Sequence, residues 1–305
     1  VIVSLNRLVY LVTKHRGNGA PRSPKTIQRI FMSTDKPSGV DSYNATIERI
    51  QPVADGLAIF FIRADEPIPG QLPGHYVSIG LVDPTSQKLI RRPYSLSRSI
   101  SPKQDPKLLE LLVIRVPEGE LTPLLFEQRE GDRIYVRPKM VGTYLLPELD
   151  TDTTMILLST GTGVAPHMTM LEACVTTCKQ VVMMECVRYS AELAYAEQIR
   201  SYAESHPNLT YITLVTREGG NKRYIQDYFR DSILVSEHGV SINADHTHVF
   251  ACGNPAMIGI PKEDRKTGAL RFETSGGLVE ILIEQYGLTI HKPRIPGQIH
   301  YEKYW

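Results

Sequence analysis

Short runs that alternate apolar and polar residues fill the chain from about Tyr43 to Leu146. Turn signals such as DG, PG, EG and GD separate five of them, YNATIERIQPV, LAIFFIRA, GHYVSIGLV, LLELLVIRV and DRIYVRPK. Short β-branched runs at this spacing predict a closed antiparallel β-barrel or a sandwich. One helix, LTPLLFEQRE, interrupts the strands. We expect it to begin near Thr122, with Thr122 capping a start at Pro123.

The pattern changes after the linker LPELDTDT. TMILLST is a continuous apolar strand, and it leads through GTGVAP into the helical pattern HMTMLEACVTTC. Strand and helix then alternate through QVVMMECV, SAELAYAEQIRSYAES, LTYITLVT, RYIQDYFRDSI and HTHVFACG. This alternation predicts a doubly wound parallel sheet. We therefore predict a β-barrel domain over residues 41–148 and an α/β nucleotide-binding domain over residues 149–305.

Residues 1–40 stand apart from both domains, because no Asp or Glu precedes Asp35 while several Lys and Arg do. One interpretation is a basic organelle presequence. The other is a translated upstream region, with Met32 as the true start. The second fits better, since the apolar run is short and the residues after it have no clear amphipathic period. We leave this extension out of the fold prediction.

Charge and cysteine content narrow the class of protein. The formal net charge of +1 gives no electrostatic reason to expect a nucleic acid or an anionic membrane as partner. No apolar run approaches the roughly 20 residues of a membrane-spanning helix. The four cysteines form no C-x-x-C pair, and Cys174 and Cys178 lie one turn apart on a predicted helix, which favours buried thiols over a metal site. A reducing, cytoplasmic location fits this pattern.

Glycines mark the first turn of the predicted parallel sheet. Gly161 and Gly163 fall between its first strand and first helix, where a missing side chain lets the backbone approach a diphosphate. The full dinucleotide fingerprint is not met, because Pro166 stands where the third glycine would be. Glycine at such a turn is also used for geometry alone, so both interpretations stay open here.

Arginines follow the next two strands of the same sheet. Arg188 follows QVVMMECV, Arg217 follows LTYITLVT, and Arg223 comes six residues later. Ligands bind at the carboxyl ends of parallel strands, where three arginines could hold a dianionic phosphate. Solvated surface arginines are the alternative. The run ACGNPAMI (251–258) is a third turn at this edge, and its Cys252 is either a packed thiol or a group set against a reactive ring.

Three motifs in order, RRPYS, GTGVAP and ACGNPAM, resemble the ferredoxin–NADP⁺ reductase superfamily. The ending PGQIHYEKYW is similar to the bacterial ferredoxin/flavodoxin–NADP⁺ reductase type, which closes in an aromatic pair. The resemblance covers about residues 43–305, and segments 219–248 and 261–276 are its variable parts.

This resemblance implies that the barrel holds FAD. Arg92 would pair with the FAD pyrophosphate, Tyr94 would pack on the flavin, and Ser95 would hydrogen-bond near its N5 atom. Tyr304 would cover the flavin ring and Trp305 would meet the adenine. The other residues implied to bind FAD are Pro93, the strand backbone at Leu111, Leu112, Val113 and Ile114, the helix start at Glu120, Leu121 and Thr122, and Thr162 between the two cofactors.

The same resemblance assigns NADP(H) to the α/β domain. Arg188, Arg217 and Arg223 would bind the 2′-phosphate, with Val187 and Thr216 beside them. Gly253, Asn254 and Pro255 would lie near the nicotinamide half. No acidic residue that would favour NAD follows the second strand, which runs into CVRYS.

The implied activity is electron transfer between NADPH and a ferredoxin or flavodoxin, with Ser95, Tyr304 and Cys252 as the catalytic residues. Glu302 is either an aid to proton balance or a solvated glutamate. Two alternatives remain: the separate reductase component of an oxygenase, and a flavin-binding module without turnover. The intact set of Arg92, Tyr94 and Ser95 speaks against the second alternative.

Overall fold

The structure is a computed structural model, and it describes residues 2–5, 8–11, 42–98, 104–219, 222–264 and 266–304. The terminal Trp305, implied to meet the FAD adenine, lies outside the described residues. Most of the N-terminal extension is also outside them, and its described part is the antiparallel hairpin of β1 (Ile2–Leu5) and β2 (Leu8–Leu11).

A six-stranded antiparallel sheet forms the first half of the chain. Its strand order is β6–β5–β8–β3–β4–β7. The two outer strands meet where Ser97 N donates to Glu110 O at 2.9 Å, which closes the sheet into a barrel. The strands are β3 (Ala45–Ala54), β4 (Leu57–Ala64), β5 (Tyr76–Val82), β6 (Leu89–Ser95), β7 (Leu108–Ile114) and β8 (Arg133–Val136). This confirms the predicted antiparallel barrel.

The polar stretch RRPYS is part of a full strand, β6, which the alternation pattern did not predict. β5 supplies its partners, with Ile79 opposite Arg92 and Val77 opposite Tyr94. The two arginines of the stretch are exposed, while Tyr94 packs against the barrel core. Backbone pairing with β5 therefore offsets a side-chain sequence that is unusually polar for a strand.

Helix α1 (Thr122–Phe126) lies where it was predicted, but its cap differs. Leu121 is the N-cap residue and makes no side-chain capping bond. Thr122 Oγ1 instead bonds the backbone of Val116, accepting from its N at 2.9 Å and donating to its O at 3.1 Å. The expected capping role of Thr122 is wrong, because its hydroxyl holds the preceding turn instead.

A five-stranded parallel sheet forms the second half, in the order β11–β10–β9–β12–β15. Apolar clusters lie on both of its faces, which confirms the predicted doubly wound sheet. Its strands are β9 (Thr154–Thr160), β10 (Gln180–Val187), β11 (Leu209–Val215), β12 (Thr247–Gly253) and β15 (Ile299–Lys303). The fifth strand, β15, was not predicted, and it carries the C-terminal tail back to the barrel.

The helices of this half are shorter than their sequence patterns. The segment 190–205 was expected to be one helix, but a 3-10 turn (Ser190–Glu192) precedes α3 (Ala196–Ser205). Ser232, with φ +53°, separates α4 (Ile225–Arg230) from α5 (Ile233–Ser236). The remaining elements are α2 (Val164–Thr177), α6 (Pro255–Ile258), the hairpin strands β13 (Lys262–Glu263) and β14 (Leu270–Arg271), and α7 (Leu278–Tyr286).

Close backbone contact explains one glycine of the GTG turn. A Cβ atom on Gly163 would lie 2.2 Å from the carbonyl oxygen of Cys252, so only glycine lets β12 pass this close. Cys174 and Cys178 are buried free thiols, as the sequence favoured. Among the described residues, no helix is long and apolar enough to cross a membrane.

Candidate functional site

A cavity of about 560 Å³ opens between the barrel and the C-terminal tail. Its walls come from strands β5, β6 and β7, the start of α1, the glycine turn with the start of α2, and β15 with the residue after it. Most of the residues that the resemblance assigned to FAD line this cavity, namely Arg92, Pro93, Tyr94, Ser95, Leu112, Ile114, Glu120, Leu121, Thr122, Thr162 and Tyr304. Leu111 and Val113 alternate with them on β7 and point into the barrel core.

Three polar side chains meet at one end of the cavity. The Tyr304 hydroxyl donates to Ser95 Oγ at 2.6 Å, and Ser95 Oγ lies 3.5 Å from Glu302 Oε2. Burial raises the pKa of Glu302 to about 7, although the Ser95 hydrogen bond opposes that shift. Glu302 is therefore not a solvated glutamate, one of the two interpretations left open by the sequence. It is a half-buried acid that can hold or release a proton near neutral pH.

The barrel wall of the cavity combines a ring with a charged pair. Tyr94 is mostly buried, and this burial raises the pKa of its hydroxyl to about 12, so the phenol stays neutral. The guanidinium of Arg92 forms an ion pair with Glu120, and both side chains are about half exposed. A phosphate ligand at Arg92 would have to compete with the carboxylate of Glu120, which the sequence did not indicate.

The turn before the helix start is closely packed at the edge of the cavity. A Cβ atom on Gly119 would lie 3.0 Å from the carbonyl oxygen of Val116, so a side chain here would press on the turn that borders the cavity. Leu112 and Ile114 give the neighbouring wall an apolar surface. An apolar slot with Tyr94 beside it and Arg92 at its edge suits a flat aromatic ring that carries a phosphate tail.

Cys252 lies directly behind this cavity and is fully buried. Its thiol and the Tyr304 hydroxyl are in hydrogen-bond contact. Burial, and next the carboxylate of Glu302, raises the pKa of this thiol well above its usual range. Cys252 is therefore a neutral thiol here and not a nucleophilic thiolate. Near it, the Tyr144 hydroxyl lies 2.9 Å from Nε2 of the fully buried His167, a pair that no sequence motif indicated.

A second set of predicted residues gathers at the carboxyl ends of β10 and β11. Pairing continues past both strands, since Thr216 N donates to Val187 O at 3.0 Å and Arg217 N donates to Arg188 O at 2.9 Å. The structure thus places Arg188 beside Arg217. The guanidinium of Arg188 is held by Glu192 Oε1 at 2.6 Å. That glutamate was missed, although its i, i+4 spacing from Arg188 was visible in the sequence.

Arg223 lies further along, on the exposed segment before α4. The exposed ring of Tyr224 follows it, with the Lys222 ammonium 5.2 Å from the ring centroid. An exposed ring between cations is a surface on which a purine can stack. The sequence prediction included Arg223 but missed Lys222 and Tyr224.

The turn of residues 253–255 closes the same edge of the sheet. Gly253 has a φ of +127°, and a Cβ atom there would lie 2.2 Å from Thr160 Oγ1. Asn254 N donates to that same hydroxyl at 2.7 Å. The Asn254 side chain then caps α6 by accepting from Ala256 N at 2.8 Å, with Pro255 as the first helical residue. The turn is thus fixed against the strand that carries the GTG turn.

Comparison with known proteins agrees with this geometry. Residues 157–263 match the family model of the oxidoreductase NAD-binding domain. The ferredoxin–NADP reductase of Pseudomonas aeruginosa is 32% identical over 197 residues, which cover 61% of this chain and 74% of that protein. The flavodoxin/ferredoxin–NADP reductase of Buchnera aphidicola from Schizaphis graminum is 30% identical over 187 residues, covering 59% and 71%.

A solved structure shares the fold. The ferredoxin NADP⁺ reductase of Neisseria gonorrhoeae, solved with bound FAD and NADP, superposes with a TM-score of 0.70 at 19% identity, covering 86% of this chain and 98% of that one. The order of barrel and parallel sheet, the sequence relatives and the match to the NAD-binding domain all agree. The chain belongs to the flavodoxin/ferredoxin–NADP reductase family.

Proposed function

We propose that this protein is an FAD-dependent reductase that transfers electrons between NADPH and a ferredoxin or flavodoxin. The observation that carries the proposal is the cavity in which Ser95 of the barrel and Tyr304 of the tail are hydrogen-bonded at 2.6 Å, with Glu302 beside them. Bound FAD would exchange a two-electron hydride with NADPH and pass electrons singly to the protein acceptor.

In this proposal the barrel residues orient the flavin. Arg92 would pair with the pyrophosphate after its ion pair with Glu120 breaks. Tyr94 would pack against the ring, and Ser95 would hydrogen-bond to the reacting nitrogen. Tyr304 covers the opposite face and keeps water away from it. The nicotinamide would reach the flavin only when the Tyr304 ring moves aside, and the role at the adenine that the family resemblance implies for Trp305 is part of this proposal.

The cations at the ends of β10 and β11 select the phosphorylated dinucleotide. Arg188 and Arg217 lie side by side through backbone pairing, so their guanidinium groups can bind one phosphate together. Arg223 and Lys222 add positive charge nearby, and Tyr224 provides a ring for the adenine. Glu192 holds Arg188 in place until the 2′-phosphate competes for it.

Proton balance gives Glu302 a role. A hydride carries two electrons and one proton, and a protein acceptor that takes only the electrons leaves the proton behind. One proton must therefore leave the site in each turnover. Glu302 lies beside Ser95, and its pKa of about 7 suits a group that takes up and passes on that proton. Cys252, a neutral thiol between Glu302 and the glycine turn, packs the nicotinamide side of the site without supplying a nucleophile.

Anaerobic electron transfer to purified carriers tests the proposal. We expect FAD-loaded protein with NADPH to reduce a ferredoxin, a flavodoxin or both. NADPH oxidation that reduces ferricyanide but neither carrier would contradict a ferredoxin or flavodoxin reductase and favour another electron acceptor, such as an oxygenase component. A protein that retains no FAD would contradict the proposal altogether.

A further inference from the structure

A row of polar side chains crosses the parallel sheet one or two residues from the carboxyl ends of its strands. The strand register places Glu185 beside Ser159, Ser159 beside Cys252, and Cys252 beside Glu302, all on one face. The next row back on this face is apolar over the same central strands, with Met183, Leu157 and Phe250 side by side. Burying four polar side chains in an otherwise apolar layer costs free energy of desolvation, and apolar residues at these positions would build the same sheet.

Glu185 lies at the end of this row that is farthest from the cavity. Its side chain is 1% exposed, and Oε1 accepts a hydrogen bond from the Tyr211 hydroxyl at 2.9 Å. The other charged or titratable groups that act on it are Tyr195, on the turn before α3, and Arg200 of α3. Burial raises the pKa of Glu185 to about 7, against the opposing effects of Tyr211 and Arg200.

Glu302 ends the row at the cavity with a matching pKa of about 7, which burial also raises. The groups that face it are Ser95 of β6, Cys252 of β12, and the hydroxyls of Tyr304 and Tyr144. Both ends of the row are therefore acids that exchange protons near neutrality.

The two residues between the acids can pass a proton. Ser159 Oγ donates to the carbonyl oxygen of Met184 at 3.2 Å, which leaves its lone pairs free to accept. Cys252 is a neutral thiol with a proton to donate. Adjacent strands lie about 4.8 Å apart, so neighbouring side chains in the row are within reach of one another after small rotations.

Glu185 is buried, but two of the groups that act on it border a second cleft, of about 550 Å³, between the barrel and residues 190–200. Tyr195, Arg200 and Glu110 line it. The Tyr195 hydroxyl donates to Glu110 Oε1 at 3.0 Å, and burial raises the pKa of Glu110 as well. The row therefore runs from the cavity at Ser95 to Glu185, with Tyr195 and Arg200 between Glu185 and this second cleft.

We propose that Glu185, Ser159 and Cys252 form a proton-transfer row that connects Glu302 at the flavin cavity with the cleft at Tyr195 and Glu110. This inference rests on the proposed reductase function. Each member accepts one proton from the side of Glu302 and releases one towards the cleft. One proton thus leaves for each hydride received, and the row returns to its starting charge. Glu185 and Ser159 are positioning residues that act through Glu302 and do not touch the cofactor.

Proton release from the FAD-loaded protein gives the first test. A pH indicator in weakly buffered solution reports the proton that leaves when NADPH-reduced protein is reoxidised by a ferredoxin. Because a missing relay group typically costs roughly a hundredfold or more in proton-transfer rate, we expect Glu185→Gln and Ser159→Ala to slow this release at least about tenfold. Ser159→Thr, which keeps a hydroxyl, should retain the fast release, and so should Glu204→Gln, which changes an exposed acid of α3. Unchanged release in Glu185→Gln and Ser159→Ala would overturn the proposal.

A titration of the flavin-free protein gives the second test and does not depend on the proposed function. Carboxyl ¹³C NMR follows Glu302 in the wild type, in Glu185→Gln and in Glu204→Gln. An ionised Glu185 disfavours the ionisation of Glu302, so Glu185→Gln should lower the Glu302 midpoint by about half a pH unit or more. An unchanged midpoint would overturn the coupling even if the protein binds FAD. A lowered Glu302 midpoint in a protein that binds no FAD would support the proton-transfer row and contradict the proposed reductase function.

Discussion

The hydroxyl of Tyr304 donates a 2.6 Å hydrogen bond to Ser95 Oγ across 209 residues of sequence. Ser95 ends strand β6 of the barrel, while Tyr304 follows strand β15 of the parallel sheet. One contact therefore joins the two halves of the molecule at the cavity, and it places Glu302 beside them. Because both hydroxyls face the cavity, a change in either should affect ligand binding as well as the position of the tail.

Removal of the Tyr304 ring should strengthen NADP⁺ binding. A nicotinamide that must displace the ring binds only the fraction of molecules in which the ring has moved, and minor states are typically populated at about 0.1–10%. We expect Tyr304→Ser to lower the Kd for NADP⁺ at least about tenfold in equilibrium titrations. Tyr304→Phe keeps the ring and loses only the hydroxyl, with its contacts to Ser95 and Cys252, so its Kd should stay near that of the wild type. Equal Kd values in all three proteins would contradict the covering role.

Loss of an arginine at the strand ends should weaken the binding of NADPH but not that of NADH. Hydrogen bonds to charged groups contribute about 1.5–3 kcal/mol, so Arg188→Ala or Arg217→Ala should raise the KM for NADPH about 10- to 100-fold. NADH lacks the phosphate, and its KM should change little. Arg129→Ala, at an exposed arginine of the barrel, is the matched control. Equal losses with NADPH and NADH would refute the phosphate assignment.

Stability should fall with rising pH because of Glu185. Its pKa is raised from 4.5 in the unfolded chain to about 7 in the fold, mainly by burial. Between these values the folded state holds a proton that the unfolded state has lost. The contribution is therefore fully present below about pH 4.5 and is lost as the pH rises through about 7.

Glu185→Gln should remove this dependence while Gln accepts the same bond from Tyr211. From pH 5 to pH 8, the free energy of unfolding of the wild type should fall more than that of the variant, by at most about 3 kcal/mol. Denaturant titrations at the two pH values measure the difference. Parallel pH slopes for the two proteins would show that Glu185 ionises normally.

The two glycines of the GTG turn should differ in how much stability is lost when each is replaced by alanine. Gly163→Ala drives a Cβ atom to 2.2 Å from the Cys252 carbonyl, so β12 or α2 must shift, at a cost of about 2–4 kcal/mol. Gly161 has a φ of +53°, and no atom lies within 4 Å of the position that a Cβ atom would take there, so Gly161→Ala should cost only about 1 kcal/mol. Thermal unfolding of both variants provides the comparison, and equal losses would exclude the backbone contact as the reason for Gly163.

Local patterns were sufficient to predict much of this fold. The short apolar run LAIFFIRA, bounded by a DG turn, located β4, and the continuous apolar run TMILLST located β9. The GTG turn, the arginines at the strand ends and the RRPYS motif lie where chemistry was expected. Each of these features is a short run of neighbouring residues, so periodicity, turn chemistry or, for RRPYS, the motif resemblance could reveal it.

Features set by long-range register were not predicted. The pairing of β12 with β15 places Cys252 beside Glu302, and nothing in the sequence near either residue specifies that neighbour. The sequence left Glu302 as either an aid to proton balance or a solvated glutamate, and only the folded contact with Ser95 of the barrel shows that it is half-buried. The ion pair of Arg92 with Glu120 was also missed, although both residues were predicted to bind FAD, because an ion pair between distant residues depends on the folded positions of both side chains. Glu192, the partner of Arg188, was missed although it lies only four residues away.

Anaerobic addition of NADPH to the FAD-loaded protein tests the central claim most directly. If the cavity at Ser95 and Tyr304 holds a flavin that NADPH reduces, the flavin absorbance should bleach rapidly with NADPH and much more slowly with equimolar NADH. A protein that retains no FAD, or a bound flavin that NADPH leaves unbleached, would contradict the account.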